Sequence, residues 1–313
     1  MENLITGIHH ITALASDPQK NLDFYAGILG LRFVKKTVNF DAPDVYHLYY
    51  GNENGAPGTI MTFFPYEGIP QGRKGKGQLT TTSFSVPENS LGFWMNRFDR
   101  FNIRYEGPIE RFDETAIYFE DHDGLGLELV ATKDPRAPFS YGAIPLEHAI
   151  RGIHAITLTE ESYEKTAGLL VGQLDHKPKG EKGNRFRFVS SSGSIVDILC
   201  APDALRGNGG YGTIHHIAFL VENDEKQIAV RNKLVSFGLN LTPVIDREYF
   251  HSIYFREPGG VLFEIATHPP GFTVDEPLEK LGTHLKLPPW YEKNREQIEK
   301  ALTPISLDIS RFK

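Results

Sequence analysis

Short apolar runs, partly alternating with polar side chains, recur four times along the chain: GIHHITALA from Gly7, GQLTTTSFSV from Gly77, RGIHAITLT from Arg151 and GTIHHIAFLV from Gly212. Each reads as a strand. A helical stretch follows, as from DPQKNLDFYAGILG onward, where Leu22, Tyr25, Leu29 and, just beyond, Phe33 return at roughly helical spacing. Extended segments come next, clearest in TAIYFEDHDGLGLELVAT (115–132) and HSIYFREPGGVLFEIAT (251–267). Both predict two strands joined by a glycine-containing turn. The chain is thus one β-α-β-β-β phrase, about sixty residues long, written four times, and its fold class is α+β.

The predicted units span 7–66, 77–132, 151–202 and 212–268, with two of them in residues 1–132 and two in 151–268. The segment 133–150, rich in proline and small residues, reads as a linker between the pairs. Residues 269–313 read as a tail packed on the body, in which LPPWYEKNREQIEKAL predicts a helix with proline at its entrance. The basic loop QGRKGKGQ (71–78) lacks the strand-loop-helix setting of a phosphate cradle and is expected to be a solvated linker.

Bulk properties narrow the function. With 313 residues the chain can bury a large core, enough for two domains. A net charge of −7 argues against nucleic acid as a partner, since neutralising phosphates needs a basic surface. No apolar run approaches a membrane span, and MENLITGIHH lacks the basic and apolar regions of a signal peptide. The single cysteine, Cys200, allows no intramolecular disulfide, so a reducing, cytoplasmic setting is expected. A homo-oligomer is compatible with all of this.

The repeats locate candidate ligands. Superimposing the units places His10, Thr81, Ala155 and His216 at one strand position, with His9, Thr80, His154 and His215 just before it. The matching position of the last strand holds Thr62, Glu128, Asp197 and Glu264. Neighbours on a strand point to opposite faces, so a ligand set must come from one column. The first and fourth units together supply two imidazoles and a carboxylate: His10, His216 and Glu264. The third and fourth fall one histidine short unless His154 and His215 face inward, and the second and third offer carboxylates alone. Glu264 sits in the apolar run GGVLFEIAT, where a buried carboxylate needs a partner. Two imidazoles and one carboxylate on one face of an ion leave positions open for O2 and an organic substrate, the arrangement of non-haem Fe(II) oxygenases. His47, His122, His148, His176, His268 and His284 are expected in loops or tails and stay unassigned.

With HHI in a first strand, FY…LG in the helix and YFREPGGVLFEI at the end, residues 7–268 resemble the vicinal oxygen chelate superfamily, which contains glyoxalase I, bleomycin-resistance proteins and extradiol ring-cleaving dioxygenases. The resemblance implies four βαβββ modules arranged as two paired half-barrel cups, here with a C-terminal helical tail. HHIT at 9–12, HHI at 215–217 and FEI at 263–265 match the hydroquinone ring-cleaving dioxygenases best, which draw their ligands from the first and fourth modules. That subgroup implies Fe(II), with Mn(II) as the alternative, on His10, His216 and Glu264, and a small aromatic diol and O2 as partners. It also implies a base for the phenol proton and a donor to steady reduced oxygen; Tyr254, Arg247, His9, His215 and Thr12 match its residues around the metal. Strand alternation points His9 and His215 away from the ion, so they would act from behind. Tyr118 and Arg111 stand at the same offsets from Glu128 as Tyr254 and Arg247 from Glu264, so this pair could equally be fold template. A catechol-type dioxygenase is the nearest alternative. A glyoxalase-like isomerase would want a second carboxylate where Thr62 stands, and a metal-free sequestering cup would not need the histidine doublets.

Overall fold

The structure is a computed structural model that describes residues 3–313. The first unit contributes β1 (Gly7–Ala15), β2 (Arg32–Asn39), β3 (Ala42–Gly51) and β4 (Ile60–Pro65). The second contributes β5 (Gln78–Val86), β6 (Tyr105–Arg111), β7 (Glu114–Glu120) and β8 (Gly126–Ala131). Strands β9 (Gly152–Glu160), β10 (Lys177–Lys182), β11 (Arg185–Val189) and β12 (Ile195–Cys200) follow in the third. The fourth holds β13 (Thr213–Val221), β14 (Ile245–Asp246), β15 (Phe250–Arg256) and β16 (Leu262–Pro270). These strands form two curled eight-stranded sheets, in the orders β14-β15-β16-β13-β1-β4-β3-β2 and β10-β11-β12-β9-β5-β8-β7-β6.

The sheets therefore pair the outer two units with each other and the inner two with each other. The first joins the fourth through the antiparallel β1–β13 seam, and the second joins the third through β5–β9. Within the first unit β1 runs parallel to β4 and, through two antiparallel pairings, to β2 at the sheet edge, so a helical crossover must connect the first strand to the second, and the other units repeat this. Those crossovers are α1 (Pro18–Leu22), α2 (Leu91–Arg100), α3 (Glu164–Gly172) and α4 (Asp224–Ser236).

The first crossover departs from expectation. Asp17 caps α1 by accepting from the amides of Gln19 and Lys20, but after Leu22 the helix widens into a π-turn over Asp23–Ile28, and Phe33 lies in β2 instead. The wider turn buries Tyr25, whose hydroxyl donates to the buried Asp121 of the second unit at 2.9 Å. Gly30, at φ 71°, ends it in the left-handed region that favours glycine.

The basic loop is not simply solvated. Gln71, Arg73 and Lys76 form bridges to Tyr211, Asn208 and Arg206, so the connector between the first two units is zipped to the one between the last two. The tail is less helical than its sequence suggests: three 3-10 turns precede α5 (Arg295–Ala301), and Pro288 and Pro289 lie well before that helix. It is nonetheless docked. Phe272, Leu281, Leu287, Ile298, Leu302 and Phe312 are buried, and Asp275 and Glu276 hold the fully buried Lys35 of β2 at 2.6 and 2.9 Å. Among the described residues no helix is long and apolar enough to cross a membrane.

The second sheet answers how Glu128 is tolerated without histidines. Arg111 grips it through both guanidinium nitrogens, at 2.7 and 2.6 Å, and Ser83 donates at 2.7 Å. Asp197 is held likewise by Arg187 at 2.8 and 3.0 Å. Guanidinium groups there neutralise the carboxylates that face imidazoles in the other sheet, and a bidentate pair meets the cost of burying them.

A buried acid pair joins the third and fourth units. Thr166 Oγ1 lies 2.7 Å from Glu160 and 2.6 Å from Glu257. One hydroxyl proton cannot serve two carboxylates, so one acid keeps its own proton. It is Glu160, because Glu257 also accepts the amides of Gly259 and Val261. Burial first, and then the charge of Glu257, push the Glu160 carboxyl up from an ordinary 4.5 to about 8. The folded chain therefore holds a proton that the unfolded chain releases between these values, and stability falls as pH rises through that window. A Glu160→Gln variant, whose amide replaces the acid proton, is expected to lose this fall and to unfold at higher denaturant than wild type above pH 8. Parallel denaturation curves for the two proteins at pH 5 and pH 9 would check it; an unchanged slope with pH would refute the assignment.

Candidate metal centre

β1 and β13 run antiparallel at the centre of the first sheet, with Thr12 opposite His216. That register brings the two histidine doublets together from opposite ends of the sequence. Parallel pairing of β13 with β16 then sets Glu264 beside Ala218, two residues beyond His216 on the same face. The result is a compact trio. His10 Nε2 lies 3.3 Å from His216 Nε2, and Glu264 Oε2 lies 3.4 Å from the first and 2.9 Å from the second. All three residues are buried.

These separations suit an ion. Donors about 2.1 Å from one cation span about 3.0–3.4 Å between right-angled and tetrahedral placement. The electrostatics agree. Glu264 Oε2 is fully buried and makes no hydrogen bond of proper geometry, whereas Oε1 accepts from Ser252. Burial alone would push this carboxyl up, but the facing imidazoles of His10 and His216 bring it well below the usual carboxylate range. A charged carboxylate oxygen and two imidazole nitrogens converge on one point, an arrangement that a cation relieves. The donor set fits a divalent transition metal.

The outer member of each doublet has a definite place. His9 Nδ1 sits 2.8 Å from His10 Nδ1, and His215 Nδ1 sits 2.7 Å from His216 Nδ1. Irregular register around Ile8–His10 in the β1–β13 ladder allows neighbouring rings to meet edge to face instead of pointing fully apart. Burial, and after it His10, hold His9 well below its ordinary value, so the ring is neutral and one of its nitrogens is bare. A bare Nδ1 on His9 takes the Nδ1–H of His10 and leaves His10 Nε2 free for a metal, the usual way an outer partner fixes a ligand's tautomer. We expect His9→Leu to keep all three donors yet bind metal about 10–100-fold more weakly. A metal titration followed by isothermal calorimetry would show it, and unchanged affinity would reduce His9 to packing.

Beside the trio, and lined by its two histidines, is a cavity of about 340 Å³, at the small end of ligand pockets and sized for a single ring. Phe40, Phe64, Phe250 and Leu262 supply its apolar wall. Tyr254, opposite Glu264 on β15, lies on the polar side, and Arg247 Nε donates to its hydroxyl at 3.2 Å while Nη1 reaches Asp41 at 3.1 Å. Here the repeated template diverges. Arg111 turns to its own glutamate, but Arg247 leaves Glu264 to the imidazoles and turns to the tyrosine.

Thr12 lies behind the cavity, fully buried, with its hydroxyl 2.9 Å from that of Thr62. His154, in the second sheet, pairs with Glu114 at 2.6 Å. The sequence reading missed His47. It lies on β3, not in a loop or tail, and lines the cavity together with Tyr49, Asn39 and Tyr66. The available signal was its two-residue spacing from Tyr49, which repeats that of Ser252 and Tyr254.

A profile of the Glyoxalase/Bleomycin resistance protein/Dioxygenase superfamily matches residues 7–129 and 146–265. The Bacillus subtilis protein MhqO, provisionally named a ring-cleaving dioxygenase, is 47% identical over 304 residues, covering 96% of this chain and 97% of its own. The chlorohydroquinone/hydroquinone 1,2-dioxygenase of Sphingobium indicum is 36% identical over 307 residues, covering 94% and 95%. Among solved structures, a provisionally assigned dioxygenase of Bacillus subtilis superimposes with a TM-score of 0.95 at 46% identity, covering 98% of this chain and 99% of its own. Maize glyoxalase I, at 13% identity and a TM-score of 0.63 over 89% of this chain and 97% of its own, shares the fold. Two curled sheets of paired βαβββ units and a family match over both halves of the chain lead to one assignment: this protein belongs to the glyoxalase/bleomycin resistance/dioxygenase superfamily.

Proposed function

We propose that the protein opens the ring of a hydroquinone, bare or substituted with methyl or halogen, using O2 at an Fe(II) held by His10, His216 and Glu264. The observation that carries this reading is the trio itself: three converging donors, two of them lining an aromatic-walled cavity, with Glu264 Oε2 buried and unsatisfied at their meeting point. An ion of this kind supplies the redox activity that O2 chemistry needs and zinc lacks. Mn(II) suits the same ligands.

The protein's part is to bind, orient and exclude water. Phe40, Phe64 and Phe250 clasp a flat ring at low dielectric. Tyr254, polarised by the Arg247 guanidinium, offers a hydrogen bond to oxygen that gains charge during the reaction. His9 and His215 hold the ligand imidazoles from behind. The names of the Bacillus and Sphingobium relatives support a ring-cleaving activity and, in one case, a hydroquinone substrate. An isomerase of the glyoxalase kind is disfavoured, since the mirror position of Glu264 holds Thr62, whose hydroxyl is already engaged by Thr12 and His47.

Oxygen consumption by Fe(II)-reconstituted protein, with methylhydroquinone and separately with catechol, tests the reading. Rapid uptake with the hydroquinone and a new ring-opened chromophore would support it. Uptake with catechol alone would keep the dioxygenase and change the substrate class. No uptake with either, despite bound metal, would favour the isomerase.

A further inference from the structure

The cup is made of two halves related by the repeat, and they are chemically unequal. Across β15–β16, Tyr254 stands opposite Glu264; across β3–β4, Tyr49 stands opposite Thr62. Thr62 therefore occupies in the first unit the place that Glu264 holds in the fourth, and His47 the place of Ser252. Ser252 donates to Glu264, whereas His47 Nε2 lies 2.9 Å from Thr62 Oγ1. The half without a carboxylate carries an imidazole in its stead, and that ring and Tyr49 both face the cavity.

The hydrogen bonds around His47 have a preferred direction. Tyr49 Oη lies 2.8 Å from His47 Nδ1, and Thr62 Oγ1 lies 2.9 Å from Thr12 Oγ1. A phenol is a far better donor than an aliphatic hydroxyl, and a bare imidazole nitrogen a far better acceptor than a phenol oxygen. Tyr49 accordingly donates to Nδ1, Nε2–H donates to Thr62, and Thr62 donates to Thr12. Burial, then the nearby His10 and His216, keep the His47 ring neutral at rest. Tyr49 Oη is left with lone pairs for the cavity, while Tyr254, which accepts from Arg247, acts as donor on the opposite wall.

We propose that Tyr49 and His47 form a proton-accepting pair for a phenolic hydroxyl bound in the cup. The substrate O–H breaks and its proton joins Tyr49 Oη; the proton of Tyr49 moves to His47 Nδ1. The substrate oxygen keeps the electron pair as phenolate, and the imidazolium is steadied through Nε2–H by Thr62, a positioning residue. A base oriented by a third group is a recurrent catalytic device. The assignment rests on the reading of the cup as a phenol-binding metal site.

The test uses 4-nitrophenol, whose phenolate is coloured, titrated anaerobically into Fe(II)-loaded wild type, His47→Gln, Tyr49→Phe and Thr62→Val across a range of pH. Bound probe is expected to ionise about one pH unit or more higher in His47→Gln and Tyr49→Phe than in wild type, at equal iron content, with a smaller shift in Thr62→Val. In turnover, His47→Gln should lose about 10²-fold in kcat/KM, and added imidazole should restore part of the activity of His47→Gly. Unchanged ionisation in both variants overturns the proposal, as does failure of wild type to bind the probe. Loss of iron from His47→Gln overturns it too, since the ring would then be a prop for the metal site. Probe binding needs no ring opening, so this result is separable from a failure of the oxygen-uptake experiment on wild type.

Discussion

Glu264→Ala and His10→Ala are each expected to fold and to lose bound metal, by at least about 10²-fold in affinity, because even outer-shell partners of a ligand are worth 10–100-fold. The reason lies in the geometry. Each removes one of three donors that sit within 3.4 Å of one another and leaves two, too few to hold an ion against water. Metal content after reconstitution is the direct readout, and oxygen uptake should fall with it. His154→Ala is the control: its imidazole pairs with Glu114 in the other sheet, and its metal content should equal that of wild type. A thermal readout separates a ligand from a structural residue. A metal at a hundred times its Kd stabilises wild type by about 2.7 kcal/mol and, at the same concentration, should stabilise either ligand variant by no more than about 0.4 kcal/mol. Metal retained in Glu264→Ala, or lost in His154→Ala, would mean that the ion sits elsewhere.

Lys35→Met should destabilise the protein by about 3–5 kcal/mol, the cost of leaving buried charge without its partner. Lys35 is fully buried, and Asp275 and Glu276 come to it from the C-terminal tail. Glu276 is itself almost completely enclosed and would lose the Lys35 ammonium while still accepting the Gly282 amide. Because the lost interactions tie the tail to β2, the variant should expose the tail to protease before the rest of the chain unfolds. Adding Asp275→Asn and Glu276→Gln to Lys35→Met should recover most of the loss, since the penalty arises from unpaired charge rather than from the missing attraction. Chemical denaturation of the single and triple variants decides it; a single variant within about 1 kcal/mol of wild type would show that water reaches the acids freely.

The sequence by itself determined the repeat, and with it most of the local structure. Strand alternation is a short-range property, so the four HHI-like strands and the paired strands of 115–132 and 251–267 could be read from residue order alone. The same alternation placed His10 and His216 in one column and Glu264 beside them. It could not foresee that the first helix widens at Asp23–Ile28, because that turn is shaped by Tyr25 reaching Asp121 nearly a hundred residues away.

What only the tertiary structure decided is which side chains each copy's residues meet. Glu128 and Glu264 have nearly the same neighbours in sequence; one is neutralised by Arg111 and the other faces two imidazoles, and the difference arises from which strand pairs with which. Arg247 and Tyr254 match Arg111 and Tyr118 residue for residue, yet only the former pair hydrogen-bonds to each other on a cavity wall. His47 looked unremarkable because its value depends on Thr62 and Tyr49 across one hairpin and on a ligand set assembled from the opposite ends of the chain. Local pattern fixes the face on which a side chain lies, because a strand's geometry repeats every two residues. What meets it on that face depends on contacts hundreds of residues apart, and those are specified by the packing of the whole sheet.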